Sequence, residues 1–158
     1  MKVLSFRQPW ACLVVHFGKT IENRTWGTSF RGEFLIHAAK GMTRRELGWA
    51  YEFAVNVLGD ACPTEERLRS MLQFGGVVGR ARLVDIIPPC GAPGGRCSCE
   101  AAQSFGRSWH MAEQYGFVLA DVVPIPFRPC RGRLGFFEAP MERTYCIRCG
   151  VTLKEGMP

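Results

Sequence analysis

Long hydrophobic runs are missing from this sequence. None of its 158 residues falls in a stretch approaching the roughly 18 consecutive apolar positions that a bilayer-crossing helix requires, so no membrane association is expected. The opening MKVLSFRQPW has a basic residue followed by only a few apolar ones. It lacks the apolar region and small-residue cleavage site of a secretory leader, and we expect a cytoplasmic protein. Internal repeats and low-complexity tracts are absent too, which excludes solenoid architectures. No cluster of carboxylates suits a pair of metal ions, which argues against two-metal phosphodiester chemistry. Lysine is scarce, with four residues against sixteen arginines.

That scarcity gives the positive charge its character. The formal net charge is +6, and guanidinium groups suit bidentate contacts to phosphates and base edges. An excess of this size favours a polyanionic partner without requiring one. With 47% hydrophobic residues the chain can bury a sizeable core, so one ordered domain is expected.

The elements can be read from spacing. KVLSF (Lys2 to Phe6) reads as a strand. Pro9 suits the first turn of a helix, after which Trp10, Leu13, Val14 and Phe17 recur at helical spacing and Gly18 stops it. Lys19 to Arg24 is expected as a strand with Ile21 inward, and GEFLIHAA (Gly32 to Ala39) as another. Thr43 with Glu46 forms a capping box for a helix ending at Gly59, and Thr64 opens a shorter helix to about Met71. GGVVGRARLVDII (Gly75 to Ile87) is the longest strand expected, with a bulge near Gly79. YGFVLADVVPIP and CRGRLGFFEAP read as two more. Strands at both ends with helices inserted early imply an α+β fold with a small, strongly curved sheet or barrel.

GKTIENRTW, Gly18 to Trp26, packs charge beside the expected core. On a strand Glu22 and Arg24 share a face, and Lys19 joins them only from the turn that leaves the helix. A carboxylate beside two cations suits accepting from a base amino group. Arg24 and Lys19 suit holding a phosphate or carbonyl, while Trp26 and Trp10 offer stacking surface for an unpaired base. The alternative is an internal Arg24–Glu22 ion pair over a Trp that closes the barrel end. Arg31 follows a loop and suits either ligand contact or solvent. His37 reads as a hydrogen-bonded core histidine, His16 as a surface one. Asp85 suits a strand-end cap or a partner for Lys19.

Eight cysteines are many for a reducing compartment, where clustered thiols more often bind metal than form disulfides. Cys12 and Cys62 lie in helical patterns and read as small core residues. CIRCG, with Cys146 and Cys149, has the form of a zinc knuckle. Cys97 and Cys99 lie in the other cysteine-dense loop, 88–100, and would complete a structural zinc site pinning the tail to that loop. Cys90, Cys130 and His110 are possible substitutes, and reduced thiols without metal are the alternative.

The segment from Leu4 to Gly41, LSFRQPWACLVVHFGKTIENRTWGTSFRGEFLIHAAKG, resembles the start of an ASCH domain, a member of the PUA-like superfamily. The later strand segments fall in that family's order, so the resemblance covers roughly residues 2–138. The family signature Gly-x-Lys-x-x-Glu-x-Arg is matched by Lys19, Glu22 and Arg24, with Gly18 displaced by one position. The resemblance implies a PUA-like β-barrel of about five or six strands with flanking helices over residues 1–140, leaving 141–158 as a tail. It implies that the signature lines a cleft, with Gln8, Trp10, Lys19, Glu22, Arg24, Trp26 and Arg31 as candidate ligand-binding residues. The partner it implies is RNA, another single-stranded nucleic acid or a modified nucleoside. An amidohydrolase acting on N4-acylated cytidine, with Lys19 and Glu22 catalytic, is the competing expectation. The family's small amidohydrolases, however, carry threonine where Glu22 stands. A ribonuclease ranks below both.

Overall fold

The computed structural model describes residues 1–90 and 109–138. Six strands form one sheet: β1 (Lys2–Phe6), β2 (Ile21–Arg24), β3 (Gly32–Ala38), β4 (Gly76–Ile87), β5 (Tyr115–Pro129) and β6 (Phe136–Glu138). Three α-helices interrupt them: α1 (Trp10–His16), α2 (Arg44–Leu58) and α3 (Glu65–Ser70). The strand order is β2-β5-β4-β3-β1-β6, so β2 and β6 are the edges. All neighbours are antiparallel except β1 and β3.

The sheet curls because its long central pair is irregular. Register shifts fall between Val77 and Gly79, between Arg80 and Arg82, and between Leu83 and Asp85 of β4. Each shift adds local twist. The result is a curled, half-barrel-like sheet in a mixed α+β fold. Alternation along β1 and β3 then sorts side chains by face. Leu4, Phe6, Phe34 and Ile36 point into the curl, where they meet Phe117, Leu119 and the Val14 and Val15 of α1. Val3 and Leu35 point outward to Val77 and Phe137. A further cluster joins Leu13, Ile21, Leu47, Leu68 and Trp109 beneath the helices.

The helix boundaries follow their caps. The Thr43 hydroxyl accepts from the Glu46 N–H and the Glu46 carboxylate accepts from the Thr43 N–H, closing the capping box. Gly59, with φ +57°, ends α2. The Thr64 hydroxyl likewise caps α3. No helix among the described residues is long and apolar enough to cross a membrane.

Three expectations are corrected. β5, not β4, is the longest strand, with 15 residues. It runs through Pro124 and Pro126 because Gly79 opposes Pro124 at a register shift, where a missing N–H is tolerated. β6 shrinks to three residues, because Gly135 at φ +64° turns the chain just before it. Cys62 ends a short 3₁₀ turn, half-buried, instead of sitting in a helix.

Candidate ligand-binding cleft

The turn between α1 and β2 decides where Lys19 goes. Gly18 has φ +68°, a left-handed conformation that costs glycine little. The Lys19 N–H then donates to the Leu13 carbonyl at 3.1 Å, tucking the residue under the helix end. Alternation along a strand would send Lys19 away from Glu22; the turn sends it back. Its Nζ donates to Glu22 Oε2 at 2.9 Å and to the Ile21 carbonyl. Lys19 is 1% exposed and Glu22 5%.

Arg24 extends the cluster across the open side of the sheet. Its Nη2 lies 3.3 Å from Glu22 Oε1 and donates to the Ser5 carbonyl of β1 at 2.6 Å. The guanidinium sits over the Phe6 ring at 5.1 Å. Its Nε is buried and has no partner among the described residues. Edge strand β2 is thus tied to β1 without a backbone ladder between them.

Burial pushes the Lys19 pKa below the ordinary lysine range. The Glu22 carboxylate opposes that shift, and the Arg24 charge adds to it. Aromatic faces supply further compensation: the ammonium lies 5.3 Å from the Trp10 ring centroid and 6.0 Å from that of Trp109. Such contacts are worth up to about 2 kcal/mol when desolvated.

Above this pair opens a small cavity of about 120 Å³, lined by Trp10, Lys19, Glu22, Asn23, Trp49, Met111 and Gln114. Trp49 projects from α2, edge-on to Trp10 at 5.5 Å, and is 51% exposed. The Asn23 amide donates to the Trp109 carbonyl at 2.7 Å and accepts from the Met111 N–H at 2.8 Å. It thereby holds the segment before β5 against the cavity.

The other expected site residues lie elsewhere. Gln8 is buried, donating to the Gln73 carbonyl at 2.7 Å and accepting from the Cys12 N–H at 3.1 Å. Both ends of its amide fasten α1, and it does not line the cavity. Trp26 packs edge-on against Phe117 at 5.2 Å and Phe136 at 6.1 Å, sealing the β2–β6 side of the curl. Arg31 is exposed and paired with Asp85 at 3.3 Å, so Asp85 serves Arg31 and not Lys19. Trp49, Asn23 and Gln114 were not among the expected residues. Trp49 left a signal, since it stands four residues before Phe53 on a helix already read correctly. Gln114 left none.

A family profile for the ASCH domain matches residues 4–126. The chain belongs to the ASCH domain family. The match takes in the whole cleft, from Trp10 to Gln114, and stops before the last residues of β5. No curated protein matches this ASCH protein.

Cys97, Cys99, Cys146 and Cys149 lie outside the described residues. Among the described residues no three His, Cys, Asp or Glu side chains gather to hold a metal. Of the possible substitutes, Cys90 is exposed. The Cys130 carbonyl accepts from His37 Nε2 at 3.1 Å, and the Gln114 carbonyl accepts from His110 Nε2 at 2.7 Å.

Proposed function

We propose that this ASCH domain, a PUA-like barrel acting in the cytoplasm, binds single-stranded nucleic acid, RNA above all, by taking one unpaired or modified base into the cleft. The observation that carries this reading is the buried Lys19–Glu22 pair at the floor of a cavity of about 120 Å³ walled by indole rings. Family membership supports it, since ASCH domains are in general of nucleic-acid-binding kind. A carboxylate accepts from the exocyclic amino group of a base, and an ammonium donates to a ring carbonyl. Trp49 and Trp10 offer faces for stacking. Arg24, already engaged with Glu22 and Ser5, positions the carboxylate.

The test is binding of a labelled single-stranded RNA by Glu22→Gln and Trp49→Ala. Each is expected to weaken binding about tenfold, because base contacts and base stacking are each worth about 1–3 kcal/mol. Circular dichroism should stay unchanged, Trp49 being half-exposed. Unaltered affinity in both variants would overturn the reading.

The depressed pKa of Lys19 favours a second reading, an amidohydrolase on N4-acylated cytidine with Lys19 as nucleophile or base and Glu22 assisting. Release of acetate from N4-acetylcytidine, abolished in Lys19→Met, would establish it; a retained, unconverted nucleoside would exclude it. For the cysteines we propose that Cys97, Cys99, Cys146 and Cys149 hold one structural zinc. About one zinc per chain by elemental analysis would support this, and its absence would retire the site.

A further inference from the structure

A cavity larger than the cleft lies elsewhere among the described residues. It is a groove of about 760 Å³ on the outer face of β1 and β3, overhung by the segment 130–134. Its floor is Ser5 and His37; its walls include Lys40, Arg131, Arg133 and Leu134. Most of the overhanging wall lies past residue 126, where the family match ends. A second cavity of about 520 Å³ continues it along Phe127 and Arg128.

Three cations converge on this one groove without a carboxylate between them, whereas the other exposed cations with no ion pair among the described residues, such as Arg44, Arg45 and Arg67, line no part of it. Arg7, Arg31, Arg69, Arg80 and Arg82 each face a carboxylate within 3.4 Å. Lys40, Arg131 and Arg133 are exposed, and none has a carboxylate partner among the described residues. Among the described residues, the one acidic residue bordering the two cavities, Glu138, is taken by the Met1 amino group at 2.8 Å.

The groove is also built, not incidental. Gly75, with φ +73°, lets the Lys40 stem lie across it; a Cβ there would come within 2.9 Å of Lys40 Cε. Gly132 closes onto the floor, where a Cβ would stand 2.5 Å from His37 Cε1 and 2.9 Å from Ser5 Oγ. A carbonyl can only accept, so His37 Nε2 carries its hydrogen toward Cys130 O, and in the neutral ring Nδ1 takes the Ser5 hydroxyl at 3.1 Å. With the floor groups satisfied by each other, the unpaired charge belongs to the walls. Phe127, 38% exposed in the adjoining cavity, offers an aromatic face beside cations of the kind that supports bases along a backbone track.

One residue joins groove and cleft. The Ser5 carbonyl holds Arg24 of the cleft cluster, and the Ser5 side chain lines the groove. We propose that this groove binds the phosphate groups of the single strand whose base enters the Lys19/Glu22 cleft, through Lys40, Arg131 and Arg133. This rests on the nucleic-acid reading above, and it adds a site that the family signature does not contain.

The experiment pairs two probes on wild type and Arg131→Ala/Arg133→Ala, substitutions at exposed positions. The first probe is a labelled RNA of about twelve nucleotides, within the site size of a small barrel, titrated over a range of salt. Each phosphate contact contributes roughly 0.7 to the slope of log affinity against log salt for single strands. The double variant should therefore lose about 1.4 in slope, while Glu22→Gln should lose affinity with its slope unchanged. The second probe is inorganic pyrophosphate, followed by amide shifts of Gly132 and Leu134, expected in wild type and lost in the variant. An unchanged slope in the variant overturns the groove while leaving the cleft reading intact. Pyrophosphate binding without RNA binding supports the groove as an anion site and overturns the nucleic-acid reading. No response to pyrophosphate in wild type overturns the groove.

Discussion

At Lys19 the chain keeps an ammonium almost wholly out of water, and Glu22 is the partner that makes this tolerable. Removing one member of such a pair strands the other without its counter-charge, whereas replacing both with apolar groups is often close to neutral. Lys19→Met should therefore cost about 3 kcal/mol, Arg24 still facing the carboxylate, and Lys19→Met/Glu22→Leu should recover most of that loss. Urea unfolding of the wild type and both variants decides it; a double variant no more stable than Lys19→Met would overturn this account. His37 makes a pH prediction. Burial holds its pKa below the usual 6.5, with the Cys130 carbonyl partly opposing. The unfolded chain then binds a proton near pH 6.5 that the folded one refuses, so stability falls as pH drops through 6.5 and levels off once the folded ring is protonated. His37→Gln should flatten that limb. His16 shifts the same way but is exposed, so His16→Gln should leave the limb nearly unaltered.

Among the elements, β4 and β5 carry the curvature, and glycine allows their contact. A Cβ on Gly76 would lie 2.5 Å from the Arg128 carbonyl and 2.6 Å from the Phe127 ring. Overpacking of this kind costs about 1–3 kcal/mol, so Gly76→Ala should lower the melting temperature visibly. Gly48 in α2 has nothing within 4 Å of such a Cβ, and Gly48→Ala should instead stabilise by roughly 0.5–1 kcal/mol. The reverse order of these two melting temperatures would sink the packing account. Elements with local punctuation were legible in the sequence: the Thr43–Glu46 capping box and Gly59 bound α2 as read, and Gly18 ended α1. β5 was legible through both prolines as far as Pro126, and only its last residues, Phe127 to Pro129, needed the partner strand's register to be seen. Of the cleft, the Lys19, Glu22 and Arg24 triplet was visible as a motif. Residue type said that Gln8 and Trp26 can bind a base; it could not say which way they point. Gln114 reaches the cavity from a distant segment, and no local pattern announces it.

For the whole molecule, the decisive fact is that the sheet of the described residues curls without closing. Arg24 and Trp26 span the gap between β2 and the β1–β6 side by side-chain contacts, so the binding cluster also holds the fold together there. Perturbing Glu22 therefore acts on a structural joint as well as a recognition group, which is why the isosteric Glu22→Gln is the informative variant. The open arrangement has a further consequence. The two edges left by the gap are short, β2 with four residues and β6 with three. Past Val118 the side of β5 that faces β2 has no strand partner among the described residues, and there Pro124, Pro126 and Pro129 break the row of N–H groups that a passing chain would copy. Among the described residues, fibril growth by strand addition therefore has little continuous template on either side.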